Sequence, residues 1–289
     1  MVAGRVDAVS TPGAPAPALP QGPTTGDHDE QPMHLTEIQA ALADAMIETR
    51  YQPVVRLSDR APVGLEALAR LNHPVRGTVL PDDFVPQIED AGLAAQLTEL
   101  VAASAFADMA GPALAPLGLT VSLNFPLDVL LLSAALTRLE AQRQAANIPV
   151  ERVLIELTES RPVQDVPALR RALETIRGIG YRIVIDDVGP AVPLRDTLLD
   201  LPFTGMKLDK ELVLRMRTAP DALTMVRRTI EIAKQRGLTV VAEGVEDVAM
   251  WHLVQRLGVD QVQGFLVAHP LPAAAVPVWL KSWQDQPAF

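Results

Sequence analysis

The chain contains no cysteine. Disulfides, thiolate zinc sites and cysteine nucleophiles are thereby excluded, and the absence suits a reducing compartment. Aromatic residues are scarce, at 4%, while the apolar fraction reaches 48%; a core must therefore be assembled from Leu, Val, Ile and Ala rather than from rings. Positive charge is also in short supply, with 25 Lys and Arg against 35 Asp and Glu and a formal charge of −10. Binding along long nucleic acid draws on many cationic phosphate contacts and is not expected. A small anionic ligand is not excluded, because a bound divalent cation inverts the local sign. Long apolar runs are missing too. The most apolar stretch, Val129–Leu136, is far too short to span a bilayer, and Met1–Pro20 lacks the apolar segment of a secretory signal. The expectation is a cytoplasmic protein without membrane insertion.

At 289 residues there is room for one large domain or two small ones. Residues 1–32 carry prolines at 12, 15, 17, 20, 23 and 32 among Ala, Gly, Thr and acids, with no helical or strand period. That composition predicts a disordered Pro/Ala-rich tail, read as an inert extension rather than a docking segment. Residues 33–289 behave differently. Leu35, Ile38, Leu42 and Met46 recur at helical spacing, predicting a first amphipathic helix. Apolar runs then predict strands over Tyr51–Leu57, Val63–Leu71, Leu119–Phe125, Val153–Thr158, Arg182–Val188, Gly205–Asp209, Thr239–Glu243 and Gln261–Leu266. Helices are predicted over Asp83–Ala91, Ala94–Met109, Leu127–Ala146, Val166–Gly178, Pro220–Arg236 and Val248–Leu257, with Trp279 and Trp283 as a packing face of a final helix. This alternation predicts an α/β fold, a TIM-like (β/α)8 barrel with a mainly parallel sheet. The first two strands share a short turn, so one of them is expected to run antiparallel to the rest.

Acids and amides fall at or near the ends of the predicted strands. Glu66 lies in Gly64-Leu65-Glu66-Ala67-Leu68, Asn124 follows Val121-Ser122-Leu123, Glu156 closes Val153-Leu154-Ile155, Asp186 and Asp187 close Ile183-Val184-Ile185, and Glu243 and Glu246 follow Val240-Val241-Ala242. Lys207 and Asp209 lie in the sixth strand and Gln263 in the eighth. In a barrel these ends share one rim, where active sites of this architecture sit. Any single acid there could as well cap the next helix. Together, several carboxylates at close quarters cannot all stay ionised without a cation. Oxygen ligands with few histidines suit Mg²⁺ or Mn²⁺, and the adjacent pair Asp186-Asp187 suits a bridged two-metal site of the kind used in phosphodiester hydrolysis. Lys207 lies between Met206 and Leu208, so alternation turns it to the opposite side from them. The five histidines show no ligand spacing and are read as non-catalytic.

The run Glu66-Ala67-Leu68-Ala69-Arg70 resembles the signature of EAL-domain phosphodiesterases specific for cyclic di-GMP (c-di-GMP). The resemblance extends from His34 to Pro272. Gln52-Pro53 looks like the family's first-strand motif, Glu156-Leu157-Thr158-Glu159 matches E-x-T-E, and Asp186-Asp187-Val188-Gly189 is similar to D-D-F-G. Lys207-Leu208-Asp209 matches K-x-D, Glu243-Gly244-Val245-Glu246 matches E-G-V-E, and Gln263-Gly264-Phe265 resembles Q-G-F/Y. The resemblance implies that Glu66, Asn124, Glu156 and Asp186 hold a first Mg²⁺ or Mn²⁺, with Asp186 and Asp187 reaching a second. It implies a catalytic set of Lys207, Glu243 and Glu66, with Lys207 touching the attacking water and Glu243 orienting or deprotonating it. Arg70 would pair with a substrate phosphate, while Gln52, Leu68, Asp209, Glu246 and Gln263 complete the pocket and Glu159 supports a neighbouring loop. The implied reaction opens c-di-GMP to linear pGpG. A homodimer and a regulatory protein partner are further expectations.

The chain departs from the family pattern in two places. After Asp186-Asp187 it reads Val188-Gly189-Pro190-Ala191-Val192-Pro193-Leu194-Arg195, where the family has a small-residue loop, and Pro190 and Pro193 each remove a backbone donor. Phe125-Pro126 follows Asn124 where the family has N-x-S. These departures motivate a second reading, a receptor or protein-interaction module that binds c-di-GMP without turnover. A third, an enolase-like proton abstractor using Glu156, Asp186 and Lys207, leaves Arg70, Asn124 and Gln263 without a role.

Overall fold

The computed structural model describes residues 33–44, 46–158, 165–189 and 200–287. The segment read as a tail lies outside them. Apolar runs become strands at β1 (Ile47–Arg56), β2 (Pro62–His73), β3 (Gly77–Val79), β4 (Thr120–Pro126), β5 (Val153–Thr158), β6 (Arg182–Val188), β7 (Gly205–Leu208), β8 (Thr239–Ala242) and β9 (Gln261–Val262). The sheet runs β1-β9-β8-β7-β6-β5-β4-β2-β3, and pairing of β1 with β2 closes it. Eight strands thus form the TIM-like ring and β3 hangs outside it. β1 is antiparallel to both β2 and β9, while β2 and β4 through β9 pair in parallel.

The helices pack outside through apolar stripes. Val166–Ile179 shows how the sequence sets one: the Asp165 carboxylate accepts from the Ala168 backbone N–H at 2.8 Å, Leu169, Leu173 and Ile176 bury one face, and Gly180 ends it at φ 116°. At the barrel end opposite the acids, the turn between β1 and β2 locks onto the helix Val276–Asp285. Arg60 stacks over the Trp283 ring at 4.6 Å, and Trp283 Nε1 donates to the Arg60 carbonyl at 2.9 Å. Trp279 stacks on Trp283 with centroids 6.1 Å apart, as the final-helix reading expects. No helix among the described residues is long and apolar enough to cross a membrane.

Three expectations are corrected, and two elements stand beyond them. The first helix stops at Ala43 rather than running to Met46, because Ile47–Arg50 pair with Leu71–Leu68 and extend β1 backward. The helix expected over Leu127–Ala146 is two, Leu127–Leu130 and Ser133–Ala145, broken where Leu132 turns extended at ψ 107°. The hairpin strand β3 and the short helix Lys210–Arg215 had no counterpart in the sequence reading. β9 is two residues long instead of six. At Gly264 the backbone adopts φ 156° and passes so close to Val245 that a Cβ would lie 2.3 Å from its backbone nitrogen, which only glycine permits.

Candidate active site

Strand register brings the polar side chains level. Asn124 on β4 is the direct partner of Glu156 on β5, and Gln52 on β1 lies opposite Glu66 on β2. Lys207 rises from β7 into the middle, with 1% of its surface exposed. Its Nζ lies 3.1 Å from Glu66, 3.0 Å from Glu156, 3.3 Å from Asp186 and 2.5 Å from Glu243. The side assigned to Lys207 by strand alternation is therefore the interior. Around Glu66 the amides form a frame. Asn124 Nδ2 donates to Oε1 at 2.9 Å, and Gln263 Nε2 donates to Oε2 at 2.6 Å and to Gln52 Oε1 at 2.9 Å.

Adjacent strand residues ordinarily face opposite sides, so Asp186 and Asp187 reach one rim only by breaking the strand. β6 does so. Its pairing with β7 is irregular between Ile185 and Val188, and Asp187 adopts φ 51°, a left-handed conformation that Asp tolerates better than most residues. Its backbone N–H then donates to Asp186 Oδ1 at 2.9 Å. Carboxylate oxygens of Glu66, Glu156 and Asp186 lie within 4.8 Å of one another, and so do those of Asp186, Asp187 and Glu243. Asp186 belongs to both groups. Asn124 Oδ1 is buried without a hydrogen-bond partner among the described residues, and a buried carbonyl oxygen ordinarily has one. An orphaned amide oxygen beside clustered carboxylates, with no nitrogen or sulfur ligand, is the donor set of a hard divalent cation. The residues present fit such an ion.

The electrostatics agree. Burial pushes Glu156 up to about 8, with the Glu66 and Asp186 charges adding to the rise and Lys207 opposing it. Burial and the Asp186 charge push Asp187 to about 6. Asp186 and Glu243 are also raised, chiefly by burial and against the pull of Lys207. Glu66 is the exception. Burial pushes it up, but Lys207 together with the Asn124 and Gln263 hydrogen bonds brings it below the ordinary range. Burial alone would lower Lys207; the surrounding carboxylates hold it well above the usual lysine value.

Above the cluster opens a cavity of about 770 Å³, lined by Gln52, Glu66, Leu68, Arg70, Asn124, Asp186, Asp187, Glu243, Glu246 and Gln263 among others. Lys207 and Glu156 sit beneath its floor. Asp209 is placed differently: its carboxylate accepts from the Leu212 backbone N–H at 2.9 Å and caps the helix Lys210–Arg215, and it does not line the cavity. Glu159 and Pro190–Arg195 fall outside the described residues. Sequence reasoning missed Asp82, Lys210 and His269, which also line the cavity. Asp82 opens the helix Pro81–Asp90 rather than ending a strand, and His269 lies in a loop, stacked on Phe265 at 3.9 Å. Neither position carries a periodic signal.

A family model described as the EAL domain matches residues 35–270. A cyclic di-GMP phosphodiesterase of Pseudomonas aeruginosa, PA2567, is 32% identical over 231 residues, covering 80% of this chain and 39% of that protein. Cyclic di-GMP phosphodiesterase PdeR of Escherichia coli is 28% identical over 249 residues, covering 86% of this chain and 37% of its own length. The chain thus spans well under half the length of these relatives. Among solved structures, the PaMucR phosphodiesterase in complex with c-di-GMP superposes with a TM-score of 0.77 at 28% identity, over 84% of this chain and 98% of that one. The EAL enzyme Bd1971 bound to cAMP and c-di-GMP superposes with a TM-score of 0.79 at 25% identity, over 85% and 67%.

Proposed function

This chain belongs to the EAL-domain family, and we propose that it hydrolyses one phosphodiester bond of c-di-GMP to linear pGpG, lowering the level of that second messenger. The observation that carries the reading is the convergence of Glu66, Asn124, Glu156, Asp186 and Asp187, from four strands, beneath a cavity that also presents Arg70. Residues 33–289 would form the phosphodiesterase domain, with 1–32 as a tail outside it.

Glu66, Asn124, Glu156 and Asp186 would hold one Mg²⁺ or Mn²⁺, and Asp186 and Asp187 a second. Charge supports bound cations: the carboxylates of Glu66, Glu156, Asp186, Asp187 and Glu243 outnumber the Lys207 ammonium set among them, and a divalent ion favours their ionised forms. When bound, such ions stabilise the attacking and leaving oxygens and acidify water. Arg70 grips a non-bridging phosphate oxygen pair with its planar fork. Glu243, raised by burial, accepts the proton of the attacking water, and Lys207 holds Glu243 in place. Gln263 and Gln52 keep Glu66 oriented. Leu68 and Glu246 shape the cavity around the substrate, and Glu159 would support the loop after Asp187.

Incubating purified protein with c-di-GMP and Mg²⁺ or Mn²⁺, followed by chromatography of the nucleotides, tests the proposal. pGpG appears with either metal and not with a chelator; no pGpG with both metals contradicts it. The second reading, binding without turnover, draws on Pro190 and Pro193 in the segment after Asp187. It gives a calorimetric c-di-GMP isotherm alongside an unchanged nucleotide. A cysteine-free chain acting on this messenger suits the reducing cytoplasm. A homodimer and a regulatory protein partner complete the proposal; sedimentation at working concentrations tests the first.

A further inference from the structure

Glu48 on β1 and Arg70 on β2 are direct partners in the antiparallel ladder, which sets their Cβ atoms about 5 Å apart on one face of the sheet. That is a ready seat for an ion pair, yet the Glu48 carboxylate turns along its own strand. Its Oε1 lies 2.9 Å from Arg50 Nε, and its Oε2 accepts from Arg50 Nη2 at 3.1 Å and from Asn72 Nδ2 at 3.0 Å. Both carboxylate oxygens are engaged. Arg70 makes no ion pair among the described residues. Its Nη1 donates to the Ala69 carbonyl at 2.7 Å, and its side chain lines the cavity.

We propose that Arg50 is a positioning residue: by capturing Glu48 in a two-point pair it keeps Arg70 available to the phosphate of a cyclic dinucleotide. The inference rests on the reading that Arg70 is the phosphate ligand. Register supports the division of labour. Arg50 lies opposite Leu68, between the pairs Gln52–Glu66 and Glu48–Arg70, so it shares their face and stands beside Arg70. Burial and then the Arg50 charge hold the Arg70 guanidinium below its ordinary range, against the pull of Asp82, Glu66 and Glu48. Asn72 anchors the far side of Glu48 from β2. Without Arg50, Glu48 is left facing Arg70 directly across the ladder. An Arg70–Glu48 pair would then compete with an anionic substrate for the same guanidinium.

The side chains of Arg50 and Glu48 are 32% and 35% exposed. A pair screened to that degree contributes up to about 1 kcal/mol, equivalent to roughly fivefold in binding. Steady-state kinetics of the full chain on c-di-GMP tests the inference. Arg50→Gln raises KM roughly fivefold and leaves kcat within about twofold, because the binding group is masked rather than removed. Glu48→Gln alone leaves KM at the wild-type value, and the double variant returns KM to it. A double variant that keeps the raised KM overturns the inference, since Arg50 would then act on substrate or fold directly; an unchanged KM in Arg50→Gln overturns it too. Arg70→Gln separates the underlying reading: if that variant keeps the wild-type KM, Arg70 is not the phosphate ligand, whatever the cycle shows. Should the chain bind without turnover, the wild type and the same four variants are compared by calorimetric Kd for c-di-GMP, with the same pattern expected.

Discussion

Lys207 Nζ stands 2.5 Å from Glu243 Oε1 and within 3.3 Å of three further carboxylates, enclosed almost completely by protein. A buried ammonium among buried acids is stable only while both signs are present. Lys207 therefore belongs to the fold of the site.

Lys207→Met leaves the acids without their internal cation, at a cost of about 3–5 kcal/mol in metal-free protein. A melting-temperature loss of roughly 5 °C or more in the presence of chelator is expected. Turnover with Mg²⁺ falls by at least about 100-fold if Lys207 also orders the water and its base. An unchanged melting temperature contradicts the enclosed ion-pair cluster.

The acids give the protein a specific pH response. Glu156 titrates at about 8 and Asp187 at about 6 in the folded state, above the ordinary carboxylate value in the unfolded chain. Their contribution to metal-free stability is fully present below that ordinary value and is lost as pH rises through about 6 to 8. Glu66, held below the ordinary range, contributes stability above its unfolded value and loses it only in acid. A divalent ion needs the deprotonated ligands. Stabilisation by Mg²⁺, read as the melting-temperature difference between metal and chelator, accordingly grows from pH 5.5 to pH 8.5 (about the titration window of the two acids). A difference that is flat with pH counts against these acids as ligands.

Asn124 offers an oxygen with no hydrogen-bond partner among the described residues. Asn124→Ala removes it together with the hydrogen bond to Glu66, and Mn²⁺ affinity by calorimetry falls roughly ten- to a hundredfold. Wild-type affinity in that variant excludes the amide from the metal set.

The opposite end of the barrel answers to stability alone. Trp283 packs against Arg60, Trp251 and Trp279, and Trp283→Ala costs about 3–5 kcal/mol. Chemical denaturation measures that loss, while KM for c-di-GMP stays at the wild-type value. A change in KM without a change in stability reverses the assignment.

Much of this site is legible in the sequence. Asn124, Glu156 and Asp186 each fall at or near the end of an apolar run, and a barrel gathers such ends on one rim, while Glu66 lies inside β2. The convergence of the first three needed only the strand period. Asp187 needed more, because alternation alone turns it away from Asp186. The left-handed backbone at φ 51° that returns it to the rim has no sequence mark beyond the tolerance of Asp for that conformation. Asp209 shows the opposite case. Its motif position suggested the pocket, while its place immediately before Lys210–Arg215 fitted a helix cap, and the described hydrogen bond is the cap. The break at Leu131–Leu132 carries no glycine or proline, so periodicity ran through it. Glu48 and Arg50 escaped notice because their relation to Arg70 depends on register across two strands, which a hydrophobic pattern does not fix.

Anomalous diffraction from crystals grown with Mn²⁺ tests the central claim most directly. The account predicts two peaks bridged by Asp186, one within ligand distance of Asn124 Oδ1, Glu66 and Glu156 and the other within reach of Asp187. No peak at this rim, or manganese bound only elsewhere on the chain, contradicts it.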